Sequence, residues 1–411
     1  MAGEVGRLRS AGAVAATGNG LTDVVLALTL AATLHASGVA VALPGLSVGM
    51  LLSFARGGAV ADSSDRVKTM ARSDLVRCGM NILIAVAVIG AMTLGWSSVV
   101  ATIVATAGCL GNGLMAGYFR PAQSSLWAAI LPADRLTREL QINGLLNRTG
   151  LTVGAAIGGV LIALHLGVWG LVFDALMFLV TALLVVRLHD PRVPKEAGGS
   201  LGSRLADNLR KTLRIDREWR EIIRLTERTS WMRLWFFSSL GASCATAVSS
   251  VVLPVVLVRS YSSVEAGAFE SIRVIGMFVG GLVALWLGRI ALAGLLDAWS
   301  GIGAALANLA VALGVPAAAP IAMLGTSYAA GAMAGPYMST SVRQQFPDEA
   351  RGRIYAAVQG VGSVLAPIGM LVGGVLMIFI DPAILATAAA IVAAGCFALP
   401  ILRRSYWSFA A

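Results

Sequence analysis

The tetrapeptide Gly158-Gly159-Val160-Leu161 recurs 215 residues later as Gly373-Gly374-Val375-Leu376. The same shift carries Pro121 to Pro336, and no gap is needed across this stretch. Further pairs at this shift are Ser124 and Ser339, Pro132 and Pro347, Arg138 and Arg353, and Gly154 and Gly369. The repeat predicts two equivalent halves, an organisation found in many secondary transporters, whose substrate sites lie between the halves.

The composition indicates a membrane protein. Mean hydropathy is +0.81 and only 13% of the residues are charged, whereas a water-soluble domain has about 25% charged residues. Apolar runs of about 20 residues recur along the chain, and each can cross a hydrocarbon core of about 30 Å. The first run, residues 11–37, is too long for a signal-peptide core and is interpreted as a retained span. The four cysteines all fall inside apolar runs and are interpreted as small core residues.

The hydropathy pattern predicts an all-α integral membrane protein with twelve transmembrane helices in two six-helix bundles. The predicted domains are an N-terminal bundle at 1–188, a cytoplasmic linker at 189–231 and a C-terminal bundle at 232–411. The predicted spans are 12–36, 39–57, 74–95, 97–119, 139–164, 167–188, 232–258, 265–287, 291–313, 317–340, 353–379 and 382–402.

Basic residues then fall on alternate loops. The loops of the opposite side hold a single basic residue, Arg259. This is the positive-inside pattern, which predicts the inner (cytoplasmic) membrane with both termini in the cytoplasm. The charge of +10 is therefore a topology signal, and no nucleic-acid partner is expected. The basic positions are Arg7, Arg9, Arg66, Lys68, Arg72, Arg135, Arg138, the cluster at 187–233, Arg289, Arg343, Arg351, Arg403 and Arg404.

The long polar segment between the halves contains a predicted amphipathic helix. Apolar residues recur from Leu201 to Ile223 among many charged ones. Such a helix suits the surface of an anionic cytoplasmic leaflet, so membrane lipids are expected contacts. The segment is interpreted as a tether between the bundles, with a site for a regulatory partner as the alternative.

The loop after the second predicted span has a glycine-acid-base order. Gly58 is followed by Asp62, Asp65 and Arg66. Charge-assisted contacts at the membrane edge can form here and break as two bundles move. The loop is predicted to be a conformational switch, and the alternative is a solvated charged loop.

The spacing of Gly58, Asp62 and Arg66 resembles the loop signature of the major facilitator superfamily. Other segments resemble its enterobactin-exporter-like and macrolide-efflux-like branch: Asp65-Arg66, Ser73-Asp74-Leu75-Val76-Arg77, Arg120-Pro121-Ala122, and residues 347–353. The resemblance covers nearly the whole chain. It implies the major facilitator fold and export of small molecules by alternating access. It also implies that Asp62 locks the outward-facing state against the eleventh helix.

Polar and ionisable residues inside spans are expensive, so they are functional candidates. Asn19 and Asp23 lie four apart on one face of the first helix. At mid-depth the Asp23 carboxyl is desolvated, which favours its neutral form, and a carboxyl that changes charge near neutral pH is what proton coupling requires. Asp23 is therefore the first candidate for proton coupling and Glu270 the second. The alternative for Asp23 is an acid satisfied by a neighbouring helix.

Glu270 and Arg273 lie three apart in the eighth span, so they can pair. This pair is either a silent ion pair or part of a substrate or proton site. Asn19, Arg273, Asn112 and Tyr328 are the candidates for lining a substrate cavity. Asp174 and Asp297 are expected to have structural roles.

Enzyme chemistry finds no support in the sequence. No phosphate-binding loop with a GK[ST] ending is present, and the three histidines form no metal or nucleophile constellation. No cofactor, metal or catalytic residue is expected. The leading hypothesis is a monomeric secondary exporter of a small amphiphilic molecule, such as a siderophore, drug or secondary metabolite, driven by proton antiport. The alternatives are an uncoupled or uptake carrier and a transport-inactive scaffold or sensor.

Overall fold

The computed structural model describes residues 2–131, 133–191, 230–287, 292–345 and 365–407. The chain divides into two compact units, Met1–Arg214 and Ile215–Ala411. Residues 192–229, which carry the predicted amphipathic helix of the linker, lie outside the described residues, as does the motif at 347–353. The helices of the first unit are α1 (Ala2–Ser63), α2 (Arg66–Thr93), α3 (Ser98–Ile130), α4 (Ala133–Ala163) and α5 (Gly167–Val185).

The second unit is also helical throughout its described part. Two short 3-10 turns, Leu399–Leu402 and Arg404–Tyr406, close it. Its helices are α6 (Ser230–Ser260), α7 (Ser263–Leu287), α8 (Ala293–Ala312), α9 (Ala318–Gln345), α10 (Leu365–Phe379) and α11 (Pro382–Ala398).

Helix α1 carries the first two predicted spans. It is broken at His35, whose φ of 57° and ψ of 178° are non-helical, so the chain passes from one span to the next at a kink instead of a loop. With α1 counted as two, the twelve predicted spans all fall on helices wherever the structure describes them. Nine stretches among the described residues are long and apolar enough to cross a membrane.

The start of α2 differs from the prediction. The third span was expected to begin at 74, but α2 begins at Arg66. The physical reason is a cap, because the Asp65 carboxylate accepts a hydrogen bond of 3.1 Å from the backbone N–H of Lys68. Asp74 and Arg77, which were expected at the membrane edge, therefore lie two to three turns inside α2.

The repeat in the sequence is visible in the helices. Helix α5 begins at Gly167 and α11 begins at Pro382, which is the 215-residue shift of the sequence repeat. Pro121 and Pro336, related by the same shift, lie inside α3 and α9.

Glycines allow α1 to contact its neighbours closely. A Cβ atom on Gly154 of α4 would lie 1.9 Å from the carbonyl oxygen of Thr17, and one on Gly113 of α3 would lie 1.8 Å from that of Leu46. Neither position accepts a side chain without separating the helices. The first half of α1 therefore packs on α4 and its second half on α3.

The outer surfaces of the helices are apolar. Trp286 is 95% exposed and Phe379 is 80% exposed. A soluble monomer rarely exposes apolar surface on this scale. With the length and hydropathy of the helices, this makes the chain a multi-pass membrane protein.

The segment after α11 packs against the second unit. The Tyr406 hydroxyl donates a 2.6 Å hydrogen bond to the Asp297 carboxylate, and the Tyr406 ring lies 5.8 Å from that of Trp231. Burial, together with the Asp297 carboxylate, raises the pKa of the Tyr406 phenol, so the hydroxyl remains a donor. Asp297 thus has a partner of the kind expected for a structural role.

Candidate functional site

Arg77 is the central residue of a buried polar cluster in the first unit. It lies eleven residues after the start of α2, about 16 Å along the helix axis, and only 8% of its surface is exposed. Its guanidinium carbon lies 3.8 Å from the centre of the Phe178 ring of α5. A guanidinium over an aromatic face gains cation–π attraction, which is stronger where water is excluded.

A chain of hydrogen bonds leads from Arg77 to an acid on α5. Arg77 Nε donates to Asn112 Oδ1 at 2.9 Å, and Asn112 Nδ2 donates to Asn81 Oδ1 at 2.8 Å. Asn81 Nδ2 then donates to Asp174 Oδ2 at 2.5 Å. Every bond points the same way, from the cation to the carboxylate, so each polarises the next.

Helix α1 closes this chain into a ring. Arg77 Nη2 donates to Asn19 Oδ1 at 2.9 Å, and Thr22 Oγ1 donates to the same oxygen of Asp174 that Asn81 reaches. We call this set the polar ring. Its members are Asn19, Thr22, Arg77, Asn81, Asn112 and Asp174. The ring connects α1, α2, α3 and α5 inside an otherwise apolar bundle.

Asp74 lies next to the ring, one turn before Arg77 on α2. It is completely buried, and its Oδ1 lies 3.9 Å from Arg77 Nη1. Within the described residues neither of its carboxylate oxygens accepts a hydrogen bond. Asp74 therefore has one weak electrostatic partner, and its two oxygens accept no hydrogen bond from the described residues.

Asp23, the first candidate for proton coupling, follows Thr22 of the ring by one residue. Its side chain is exposed on the surface of the first unit. The desolvation expected at mid-depth is therefore not supplied by the helices of its own unit. Of the candidates from the sequence, Asn19 and Asn112 both contact Arg77, and Asp23 lies beside them.

The candidates of the second unit also lie together. Arg273 Nη1 contacts Glu270 Oε2 at 2.7 Å, and Arg273 Nε donates to the Tyr328 hydroxyl at 3.2 Å. Glu270 is buried, while 42% of the Arg273 side chain is exposed. The pairing expected from the three-residue spacing is present, and Tyr328 adds a link from α7 to α9.

The loop that was predicted to be a conformational switch forms contacts at the start of α2. Asp65 lies 3.4 Å from Lys68, whereas Arg66 is buried and lies 3.2 Å from Asp190, just past α5. The backbone N–H of Arg66 also donates to Asp190. Gly58 and Asp62 lie in the last turns of α1, where the structure describes the backbone and not the side chains.

Sequence reasoning did not select Asp74, Arg77 or Asn81. Their spacing of three and four residues places them on one face of α2, and this was the available signal. Starting the third span at 74 put Asp74 and Arg77 at the membrane edge, where charges are ordinary. Among the residues that the structure describes, no group of three or more His, Cys, Asp or Glu side chains is arranged to hold a metal ion.

Comparison with known proteins finds structural likeness without sequence likeness. No family model matches the chain. No curated protein matches it either.

Three solved structures illustrate the likeness of fold, each 14% identical to this chain. A mutant form of the nucleoside transporter NupG has a TM-score of 0.67 and covers 98% of this chain and 99% of its own. A D-xylose-proton symporter has a TM-score of 0.67 over 99% and 98%. A bacterial homologue of the iron transporter ferroportin, in an inward-facing state, has a TM-score of 0.68 over 98% and 100%. The chain therefore has the twelve-helix, two-bundle major facilitator fold.

Proposed function

We propose that this protein is a secondary active transporter of the cytoplasmic membrane that exports a small amphiphilic molecule by alternating access. The observation that carries the proposal is the polar ring. Buried charges inside a membrane-spanning bundle are costly and mark transport or proton pathways by default. In the ring such a charge is held by side chains from four helices.

The structural neighbours support transport as the general activity. They include a nucleoside transporter, a proton symporter for D-xylose and a homologue of an iron transporter. Their cargoes have little chemistry in common, so the fold does not select a substrate. A siderophore, a drug or a secondary metabolite remains the proposed class, on the resemblance of the sequence motifs.

Proton antiport is the proposed driving reaction, with Asp23 and Glu270 as the coupling carboxyls. Asp23 is exposed at the surface of its unit, so the helices of that unit do not enclose its carboxyl. Glu270 has a positive partner, Arg273, whose Nη1 lies 2.7 Å from its carboxylate. Asn19, Asn112, Arg273 and Tyr328 are the proposed polar contacts for substrate.

Uptake is the second candidate direction. The D-xylose neighbour is a proton symporter, and the same fold accommodates both directions. The vesicle experiment below separates the two, since antiport and symport respond to opposite pH gradients.

The test uses everted membrane vesicles that contain the full-length protein, with ethidium as a fluorescent amphiphilic probe. An acidic vesicle interior should drive dye accumulation, and a protonophore should abolish it. Asp23→Asn should lose accumulation driven by the gradient while retaining dye exchange, because the asparagine cannot release a proton. Glu265→Gln, at a carboxyl in the first turn of α7 that accepts hydrogen bonds from Ser262, is the matched control, because glutamine keeps an acceptor oxygen, and it should transport normally. Full accumulation by Asp23→Asn would show that Asp23 does not couple protons.

A further inference from the structure

Two buried carboxyls lie beside one buried guanidinium in the first unit. Asp74 and Asp174 are completely buried, and Arg77 is 8% exposed. If both acids were ionised, the cluster would carry a net charge of −1 away from water. An uncompensated buried charge is strongly unfavourable, and two nearby carboxylates oppose each other's ionisation. One acid must therefore be neutralised.

The other ionisable groups that face the cluster do not neutralise its net charge of −1. Asp23 on α1 adds a negative charge and Arg120 on α3 adds a positive one. Both side chains are exposed at the surface of the first unit, and their charges are opposite in sign, so together they leave the sum unchanged. The thiol of Cys78 on α2 also faces Asp174 and is an uncharged group in its ordinary form.

The hydrogen bonds decide which acid is neutral. Asp174 Oδ2 accepts from both Asn81 and Thr22, and it ends a donor chain that begins at the Arg77 cation. Such bonds favour the ionised form. Among the described residues Asp74 accepts none on either oxygen, whereas Asp174 lacks a partner on Oδ1 alone. The cation beside Asp74, Arg77 Nη1, lies at 3.9 Å. The proton therefore belongs on Asp74.

We propose that Asp74 is a proton-binding site, and that its proton determines whether Arg77 stays in the polar ring. When Asp74 is neutral, the positive charge of Arg77 is balanced by the carboxylate of Asp174, through the hydrogen bonds of Asn112 and Asn81. When the O–H bond of Asp74 breaks and its proton passes to water, the new carboxylate attracts Arg77 Nη1. Moving the guanidinium towards Asp74 stretches its bonds to Asn19 and Asn112, which join α2 to α1 and α3. One proton thus selects between two arrangements of three helices.

This inference rests on the proposed function in one respect: the proton on Asp74 is taken to be exchanged during the transport cycle. Proton binding itself requires no substrate and no transport. Infrared spectroscopy of the purified full-length protein at neutral pH tests it directly, through the C=O stretching band of a protonated carboxyl. A failure of ethidium transport would leave this measurement unaffected.

In the difference spectrum between the wild type and Asp74→Asn we expect the loss of one such band. Its frequency should be high, as for an acid without a hydrogen bond. Asparagine has nearly the shape of a neutral aspartic acid, so Asp74→Asn should fold. The control Glu265→Gln should leave the band in place. A wild-type spectrum without the band, or a band that persists in Asp74→Asn, would overturn the proposal.

A second variant distinguishes the two acids. Thr22→Val keeps the side-chain shape and removes a hydrogen bond to Asp174. If Asp74 holds the proton, the band frequency should be unchanged in Thr22→Val. A shifted band would place the proton on Asp174 and contradict the assignment. If Asp74→Asn fails to fold, Asp174→Asn replaces it. With Asp174 removed, Asp74 is the single acid beside Arg77 and should ionise to balance its charge. The C=O band of the protonated carboxyl should therefore be lost in this variant too.

Discussion

Arg77 connects three helices of the first unit through one side chain. Its guanidinium donates to Asn19 of α1 and Asn112 of α3 and lies over Phe178 of α5. The planar arrangement of five N–H donors lets one arginine do this, whereas a lysine ammonium has a single charged point. The residue that organises the ring is therefore a structural and an electrostatic centre at once.

Replacing Arg77 should destabilise the first unit. Arg77→Met keeps much of the volume but leaves Asp174 as a buried charge without its cation. Removing one member of a buried ion pair in direct contact costs about 3–5 kcal/mol, and the effect here should not exceed that, because Arg77 is connected to Asp174 through Asn112 and Asn81. Arg72→Met, at an exposed arginine on the same helix, should be nearly neutral. The thermal unfolding temperature of both variants in detergent checks this, and equal unfolding temperatures would show that the ring contributes no stability.

The residues of the ring were only partly predictable from the sequence. Asn19 and Asn112 were selected because a polar side chain interrupts an apolar run. Asp174 was seen, but its link to Asn81, 93 residues earlier in the chain, depends on tertiary packing. Asp74 and Arg77 were overlooked because the polar run before residue 74 resembles a loop, and hydropathy does not reveal the cap that Asp65 places on α2.

At the scale of the element, close contact between helices controls the first bundle. Gly154 of α4 contacts the backbone of α1 near Thr17, where no Cβ fits. The same part of α1 carries Asn19 and Thr22 of the ring. Any displacement of α1 from α4 therefore also moves Asn19 and Thr22, which bond to Arg77 and Asp174.

A pair of alanine substitutions on α4 tests this contact. Gly154→Ala forces α1 and α4 apart and should destabilise the protein by about 1–3 kcal/mol, the usual cost of overpacking. Gly144→Ala is the control, because nothing lies within 4 Å of its added Cβ. It should stabilise α4 by about 0.5–1 kcal/mol through helix propensity. The unfolding temperatures of the two variants should move in opposite directions; the same shift in both would show that the contact is loose.

The twelve spans were predictable because length and hydropathy determine them in a membrane. The ends of the helices were less predictable, because a helix extends past the hydrocarbon core of the membrane when a capping residue is available. The sequence predicted a break between residues 36 and 39, and the structure places the non-helical residue at His35, as a kink in one helix instead of a loop.

At the scale of the whole molecule, the charge pattern predicts which side of the membrane each loop faces. A reporter that distinguishes cytoplasm from periplasm, fused after Ala411, should report the cytoplasm. A second one inserted within residues 195–200 should do the same, and one inserted between α2 and α3 at Ser97 should report the periplasm. A periplasmic result at either of the first two positions would mean that the spans are miscounted.

Alternating access is the central claim, and spin-label distances test it without knowledge of the substrate. With the four native cysteines replaced, one label pair goes on the predicted cytoplasmic side, at Arg72 and Arg403. The other goes on the opposite side, at Ser98 and Ala319. All four positions are exposed. Electron–electron double resonance at acidic and alkaline pH should show one pair approaching while the other separates. Distance distributions that stay unchanged in both pairs, at either pH and with ethidium present, would contradict a transporter and favour a static scaffold.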